Sequence, residues 1–442
     1  MHATGLLKIF ILGMVICFSF SCAPQKINAS GSSVSSGNEV IYHVSQRSFY
    51  DSNSDMIGDL DGLHQKLDYL QDLGITSILL SPLSESVFYH NYFPSDFSKI
   101  DSTYGNMDDY IYLAKEIHRR GMKIYFAIQR KVAPVNLKNK KVLEYNINLF
   151  KYLVDPDKDG KFDDGVDGFC FDQKPQLTEI FESFWTPVIK SIKNLNPALV
   201  NIAEQADWNS WGKEYVGNGG VDRVFAFKLV DALRSFKKGY LSLMADSAFH
   251  ILPKGKQQVV FIDNSGMSRY SFSVENSLPK IKIGAALNLL LGGVPSIYFG
   301  QEIGMTAEHK NTGIWRDSAH LKPGDGISLE EGRPDSNSIY NFYKKMILIR
   351  KSNPVISTGA YKNLANTNDY VFTFQRRLGK KAIIVAINLS KMAQGTAITD
   401  KAFNFERKTL VQLNGNEYPD LDKNELLVQL PPYGIEVWQI SN

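Results

Sequence analysis

From Glu39 onward, short β-type runs alternate with amphipathic helical runs, and few architectures accept that pattern. The strand candidates are Val40–Val44, Ser77–Leu80, Lys123–Ile128, Gly168–Phe171, Leu199–Ala203, Arg223–Phe227, Val259–Ile262 and Ser296–Phe299. The clearest helices are Leu63–Leu73, Asp108–Arg120, Leu177–Lys193, Ile281–Leu291 and Ser338–Arg350. Eight such strands joined by crossover helices predict a closed (β/α)8 barrel over residues 39–355, with any chemistry at the carboxyl ends of its strands. Later β runs, among them Tyr370–Gln375 and Ala382–Asn388, predict a C-terminal antiparallel β-sandwich domain over 356–442.

A chain of 442 residues with 43% hydrophobic side chains can bury a core of that size. Its net charge is only +3 and its basic residues are not gathered into a run, so nothing points to nucleic acid. Residues 1–22 read as an export signal: Lys8, the apolar stretch Ile9–Phe20, then Ser19 and Ser21 before Cys22. Two outcomes fit that stretch. Lipidation of Cys22 after processing predicts a membrane-anchored envelope lipoprotein, periplasmic or at the cell surface; ordinary cleavage predicts a secreted one. Residues 23–38, rich in Ser and Gly from Ala29, read as a flexible tether. With Cys17 and Cys22 in the leader, Cys170 alone remains in the globule, so no intrachain disulfide is expected.

Among the strands, GVDGFCFD from Gly165 to Asp172 ends on a carboxylate, as a barrel strand ending at a reaction centre would. Side chains two apart share a face, so Cys170 and Asp172 are expected to point the same way. One strand later, Glu204 follows Ile202 and Ala203 and precedes Trp208 and Trp211; such apolar surroundings favour the protonated form that an acid catalyst needs. Two carboxyl groups of this kind are what retaining glycoside cleavage requires, one to attack the sugar and one to protonate the leaving oxygen.

GVDGFCFD resembles the fourth-strand motif of glycoside hydrolase family 13, the α-amylase family, usually written G-[FV]-D-G-[FW]-R-x-D. The resemblance extends to SQRSFYDSNSDMIGDLDG after the first strand, to YHNYFP, and to GGVPSIYFGQEIGM at the last strand, and so covers nearly the whole chain from residue 39. It implies a (β/α)8 barrel closed by a small β-domain, action on α-glucan or malto-oligosaccharide, Asp172 as nucleophile and Glu204 as acid/base. It also implies sugar contacts at His90, Tyr92, Trp208, Asn264 and Arg269. The closest match in pattern is to the oligo-1,6-glucosidase and neopullulanase-like branches.

Calcium is the implied cofactor. Asp51, Asn53, Asp55 and Asp59 offer oxygens at alternate positions, and the resemblance adds the Ile57 carbonyl. Met56 stands where the family has glycine, and a polar loop without an ion is the alternative. A second loop, DPDKDGKFDDG, carries Asp155, Asp157, Asp159 and Asp163 in an EF-hand-like order but has Val166 at the position of the bidentate Glu.

The departures from the family cluster around the chemistry. Cys170 replaces the Arg beside the nucleophile, Val132 and Ser265 replace two His, and Gly266 replaces the third Asp of the F-x-x-N-H-D-x-x-R run, here FIDNSGMSR. The excursion after the third strand is too short for the usual inserted domain. Losing one electrostatic stabiliser costs roughly 100- to 1,000-fold in rate, and several together are expected to cost about 10,000-fold or more. The balance favours a carbohydrate-binding protein with impaired catalysis. The alternatives are an active retaining hydrolase using Asp172 and Glu204, and a non-catalytic scaffold for an envelope protein partner, for which the heavy chains of amino-acid transporters are a family precedent.

Overall fold

A computed structural model describes residues 38–86, 91, 94–129, 139–173, 181–205, 208–217, 220–307, 337–400, 405 and 408–441; at 94–98, 129, 172, 173, 181, 182 and 205 it describes the backbone alone. The expected leader, tether and Cys22 lie outside the described residues, as do His90, Tyr92 and Val132. No helix among the described residues is long and apolar enough to cross a membrane.

Eight parallel strands close into a barrel: β1 Ile41–Val44, β2 Ser77–Leu80, β3 Lys123–Gln129, β4 Gly168–Gln173, β5 Ile202–Gln205, β6 Arg223–Phe225, β7 Gln257–Val260 and β8 Val294–Tyr298. Each strand pairs with its neighbours in chain order, and β8 returns to β1. Both faces of these strands are covered, as the near-continuous apolar runs require. Ile41, Leu79, Tyr125, Cys170, Ile202 and Val259 fill the inside, whereas Tyr42, Ile78, Leu80, Phe169 and Phe171 pack outward under the helices. The expected period of two in GVDGFCFD is therefore realised at Cys170, which faces inward between two outward phenylalanines. Phe171 leans on Trp185 at 4.8 Å and Phe169 on Phe150 at 4.6 Å.

The glycines of the motif are required by backbone crowding. A Cβ on Gly165 would come 2.1 Å from the Val154 carbonyl oxygen, and one on Gly168 would come 1.8 Å from that of Val200. These two contacts hold the acidic loop and β5 tightly around the start of β4.

The structure shifts some expected boundaries. The fifth strand runs from Ile202, not Leu199; Leu199 to Asn201 lead into it from the turn at Pro197 and Ala198. The sixth strand stops at Phe225, since Phe227 already begins a helix that runs to Arg234. The first helix is two, Leu60–Gln65 and Leu67–Leu73, broken at Lys66; Asp59 caps the first by accepting the Gly62 N–H. Residues 177–180 of the expected Leu177–Lys193 helix lie outside the described residues; a π-helical turn, Phe181–Trp185, and a helix, Thr186–Leu195, follow.

After the barrel come two antiparallel sheets. One has five strands with Val371–Leu378, Lys381–Asn388 and Ile435–Ser441 at its centre, and the other is four-stranded around Gln394–Thr399 and Glu425–Leu430. Val371, Ile384 and Trp438 of the first meet Ile398, Leu426 and Val428 of the second in a separate core, which is the arrangement of a β-sandwich.

Candidate functional site

The carboxyl ends of β3, β4 and β5 bring the two candidate acids side by side. Asp172 is in register with Gln129 on one side and with Glu204 on the other, and Cys170 with Ile202. Neighbouring strands lie about 4.8 Å apart, so register alone puts the two acidic residues at adjacent positions on the rim. The side chain of Asp172 lies outside the described residues.

Glu204 is only 8% exposed, and both of its carboxyl oxygens are engaged. Asn264 Nδ2 donates to Oε1 at 3.0 Å, and the Cys170 thiol reaches Oε2 at 3.9 Å. These two donors, an amide and a thiol, are neutral, where the family pattern would place a guanidinium at position 170. Asn264 in turn accepts the N–H of Gly266 at 3.0 Å. Gly266 thus contributes an amide to the orientation of Asn264, and no acid of its own. Among the described residues, a Cβ there would meet only Asn264 Oδ1, at 3.4 Å, an ordinary contact.

Asp263 does not stand in for the missing acid. It is 2% exposed, its Oδ2 accepts the Tyr270 N–H at 2.7 Å, and burial pushes its carboxyl above the usual range while Arg269 opposes that. Arg269 also needs correction as a sugar contact. It is fully buried, stacked 4.2 Å from the Tyr298 ring and 4.6 Å from that of Phe299, and its Nη1 donates to the Phe299 carbonyl. Its place in the motif is that of a spacer between the last two strands. Trp208 is 41% exposed and packs edge-on against Phe227, so its ring stands at the rim with a free face. His90 and Tyr92 were expected here and are not among the described residues.

The two acidic loops differ in construction. In the first, Asp51 accepts the N–H groups of Asn53, Ser54 and Met56, Asn53 accepts that of Asp55, and Asp55 that of Ile57. Asp59 is occupied by Ser52 and by the helix cap at Gly62. Met56 takes the glycine conformation, φ 69°, with its side chain exposed. In the second loop, oxygens of Asp155, Asp157 and Asp159 lie within 4.8 Å of one another, the one such group of metal-ligand side chains among the described residues. Asp155 Oδ1 and Asp164 Oδ1 are buried and have no donor. Asp164, whose Oδ2 accepts the Asp157 N–H, closes the loop; it is not among the expected acids of the EF-hand-like order, Asp155, Asp157, Asp159 and Asp163. The Asp163 carbonyl instead bonds His118, whose other ring nitrogen meets Asp167 at 2.8 Å. Lys161 reaches over to Asp159 and holds its carboxyl below the usual range.

Comparison with known proteins agrees with this architecture. The family model "Alpha amylase, catalytic domain" matches residues 43–128. α-Amylase 3 of Dictyoglomus thermophilum is 26% identical over 443 residues, spanning 84% of this chain and 87% of that protein. A cyclomaltodextrinase of Geobacillus thermopakistaniensis is 24% identical, across 87% of this chain and 71% of that one. The crystal structure of an α-amylase from H. orenii has the same fold, with a TM-score of 0.77 and 22% identity over 92% of this chain and 100% of that chain. In its eight-stranded barrel and C-terminal sheets, and in sequence over most of its length, the chain is similar to members of the α-amylase family, glycoside hydrolase family 13.

Proposed function

We propose that this protein is an exported α-glucan-binding member of its family in which hydrolysis is impaired. The observation that carries the reading is the environment of Glu204: a thiol at 3.9 Å and an amide at 3.0 Å, with Gly266 beside them where a second acid would have gripped the sugar. A retaining site works by stabilising charge as it develops, and neutral donors supply less of that than a guanidinium. Binding asks less of the site. Exposed Trp208 offers an apolar face to a sugar ring, and a barrel mouth without the usual inserted domain leaves the cleft open on one side.

Residual turnover is the second reading, favoured by the in-register pairing of Asp172 with Glu204. Calorimetric titration of the full chain with maltoheptaose, run beside a reducing-sugar assay on starch, separates the two. Saturable binding is expected, with turnover about 10,000-fold or more below that of an active relative assayed in parallel. Turnover comparable to the relative's, abolished by Asp172→Asn and by Glu204→Gln, would overturn the impaired reading. If neither binding nor turnover is seen, the reading passes to a protein scaffold. The export part rests on the leader: metabolic labelling with palmitate is expected to mark the wild type but not Cys22→Ser.

Calcium fits the second acidic loop. The buried, donorless Asp155 Oδ1 calls for a cation, and Asp155, Asp157 and Asp159 each offer an oxygen within 4.8 Å of the other two. An ion there would tie the loop to the start of β4 and so act on the site through the rigidity of its strand. The first loop already satisfies its acids with its own amides. Terbium luminescence should therefore titrate the wild type and Asp51→Asn alike, and be lost in Asp155→Asn; the reverse pattern would move the ion to the first loop.

A further inference from the structure

Asn264 sits on a loop that runs from Ile262 to Ser268, between β7 and the short helix Tyr270–Ser273, and forms neither helix nor strand. It is 5% exposed and donates to Glu204 at 3.0 Å, so whatever fixes this loop also fixes the orientation of that carboxyl. Beside the loop lies the helix Phe227–Arg234, which grips it at both ends. At the first residue of the helix, the Phe227 ring packs 4.9 Å from that of Phe261, and Met267 joins both in one apolar cluster.

At its last residue, Arg234 crosses to the loop. Nη1 donates to the Ile262 carbonyl at 3.0 Å, to the Ser268 carbonyl at 3.3 Å and to Met267 Sδ at 3.2 Å. Nη2 donates to the Ser268 carbonyl at 3.2 Å and to the Ser273 hydroxyl. A basic side chain in the last turn of a helix commonly serves the open carbonyls of its own helix. Arg234 instead bridges the two ends of a neighbouring loop, Ile262 where the chain enters and Ser268 where it leaves.

A guanidinium suits that task, because its donors lie in one plane at fixed spacing and can hold two carbonyls at a set separation. Ile262 is fully buried, so its carbonyl needs a donor from within the protein. Inside the loop, Asp263 accepts the Tyr270 N–H at 2.7 Å and the Asn264 carbonyl accepts that of Met267 at 3.4 Å, which closes the turn whose tip is Ser265 and Gly266. On the far side the Arg269 N–H donates to the Ala307 carbonyl at 2.9 Å. Charge acts in the same direction. Burial pulls the Arg234 guanidinium down, and the nearby charge of Asp263 opposes that; burial raises Asp263, and the charges of Arg269 and Arg234 oppose that in turn.

We propose that Arg234 is a positioning residue of the sugar site: by clamping the neck of the 262–268 loop, it holds the Asn264 amide on Glu204. Its effect on affinity rests on the α-glucan-binding reading of the site, whereas its effect on the placement of Asn264 does not.

Two readouts on the full chain separate this role from ordinary support of the fold. The first is calorimetric titration with maltoheptaose. Arg234→Met is expected to weaken binding about tenfold in the wild-type background but less than about twofold in Asn264→Ala, since the clamp acts through that amide. The second needs no sugar. In protein labelled with 15N-asparagine, the Asn264 side-chain resonances are those missing from Asn264→Ala, and their exchange with water is expected to be at least about tenfold faster in Arg234→Met. Arg234→Lys keeps the charge but lacks the planar fork; the same losses are expected of it, so it serves if Arg234→Met does not fold. Unchanged affinity, equal losses in the two backgrounds, or unchanged exchange at Asn264 overturns the assignment and leaves Arg234 a support of the fold alone. A wild type that does not bind maltoheptaose counts against the glucan reading, and the Asn264 resonances then decide the clamp by themselves.

Discussion

The double variant Cys170→Arg with Gly266→Asp is expected to release reducing sugar from an α-glucan at least about 100-fold faster than the wild type, with Asp172→Asn in the same background returning it to baseline. The family pattern carries opposite charges at the two positions, and here both converge on one group. Cys170 touches Glu204 Oε2, and Gly266 is one hydrogen bond away through Asn264. Room for the carboxylate is already present, because a Cβ at 266 makes one ordinary contact at 3.4 Å. Room at 170 is tighter. The thiol is fully buried among Tyr125, Ala127 and Ile202, so the longer side chain has to run toward the open mouth, and the overpacking is expected to cost about 1–3 kcal/mol. Neither single change should do as much. Gly266→Asp alone brings a like charge toward Glu204, and Cys170→Arg alone buries a cation that only the surviving acids can balance, so the gain is non-additive. A double variant that folds with a near-wild-type unfolding temperature yet gains nothing would mean that other walls of the pocket, not these two residues, hold activity down.

The parts of this molecule legible from residues alone were those written in periodicity and in contiguous motifs. The alternation of apolar runs placed all eight barrel strands, and the period of two in GVDGFCFD placed Cys170 inside, because strand geometry leaves no other choice. Long-range partnership was not legible. Asn264 lies 60 residues from Glu204, and nothing local to FIDNSGMSR announces that its amide will hold that carboxyl. Arg269 shows the converse: its spacing within the motif is right, but spacing carries no information about burial, and the side chain is spent on a backbone carbonyl. In the acidic loop, the EF-hand-like order drew in Asp163, whereas the chain turns so that the buried neighbour Asp164 bonds the loop's own amide. The charged floor of the barrel left no trace in the sequence reading, because its members come one at a time from separate strands.

That floor carries the other large expected effect: Glu39→Gln should lower the unfolding free energy at neutral pH by about 3–5 kcal/mol. Glu39 and Arg223 are 0% and 2% exposed, joined at 2.7 Å just before β1 and at the start of β6. The other oxygen of Glu39 accepts the hydroxyls of Ser77 on β2 at 2.7 Å and Tyr125 on β3 at 2.6 Å, so one carboxylate ties four parts of the ring together. Burial by itself would raise this carboxyl, but the charge and hydrogen bond of Arg223, the charge of Lys123 and the Tyr125 hydroxyl overcome it and hold the group at about 2, against 4.5 unperturbed. A folded value below the unfolded one means that the stabilisation is present in full above about pH 4.5 and drains away as pH falls toward 2, a difference worth about 3 kcal/mol. Urea midpoints measured across that window should fall steeply for the wild type and more gently for Glu39→Gln. Arg223→Met strands the anion and should be at least as harmful, whereas Glu39→Leu combined with Arg223→Met removes both charges and should cost less than either single change. If Glu39→Gln keeps the wild-type midpoint at pH 7 and the wild-type acid limb, the ring is held by its packing and the pair contributes nothing to it.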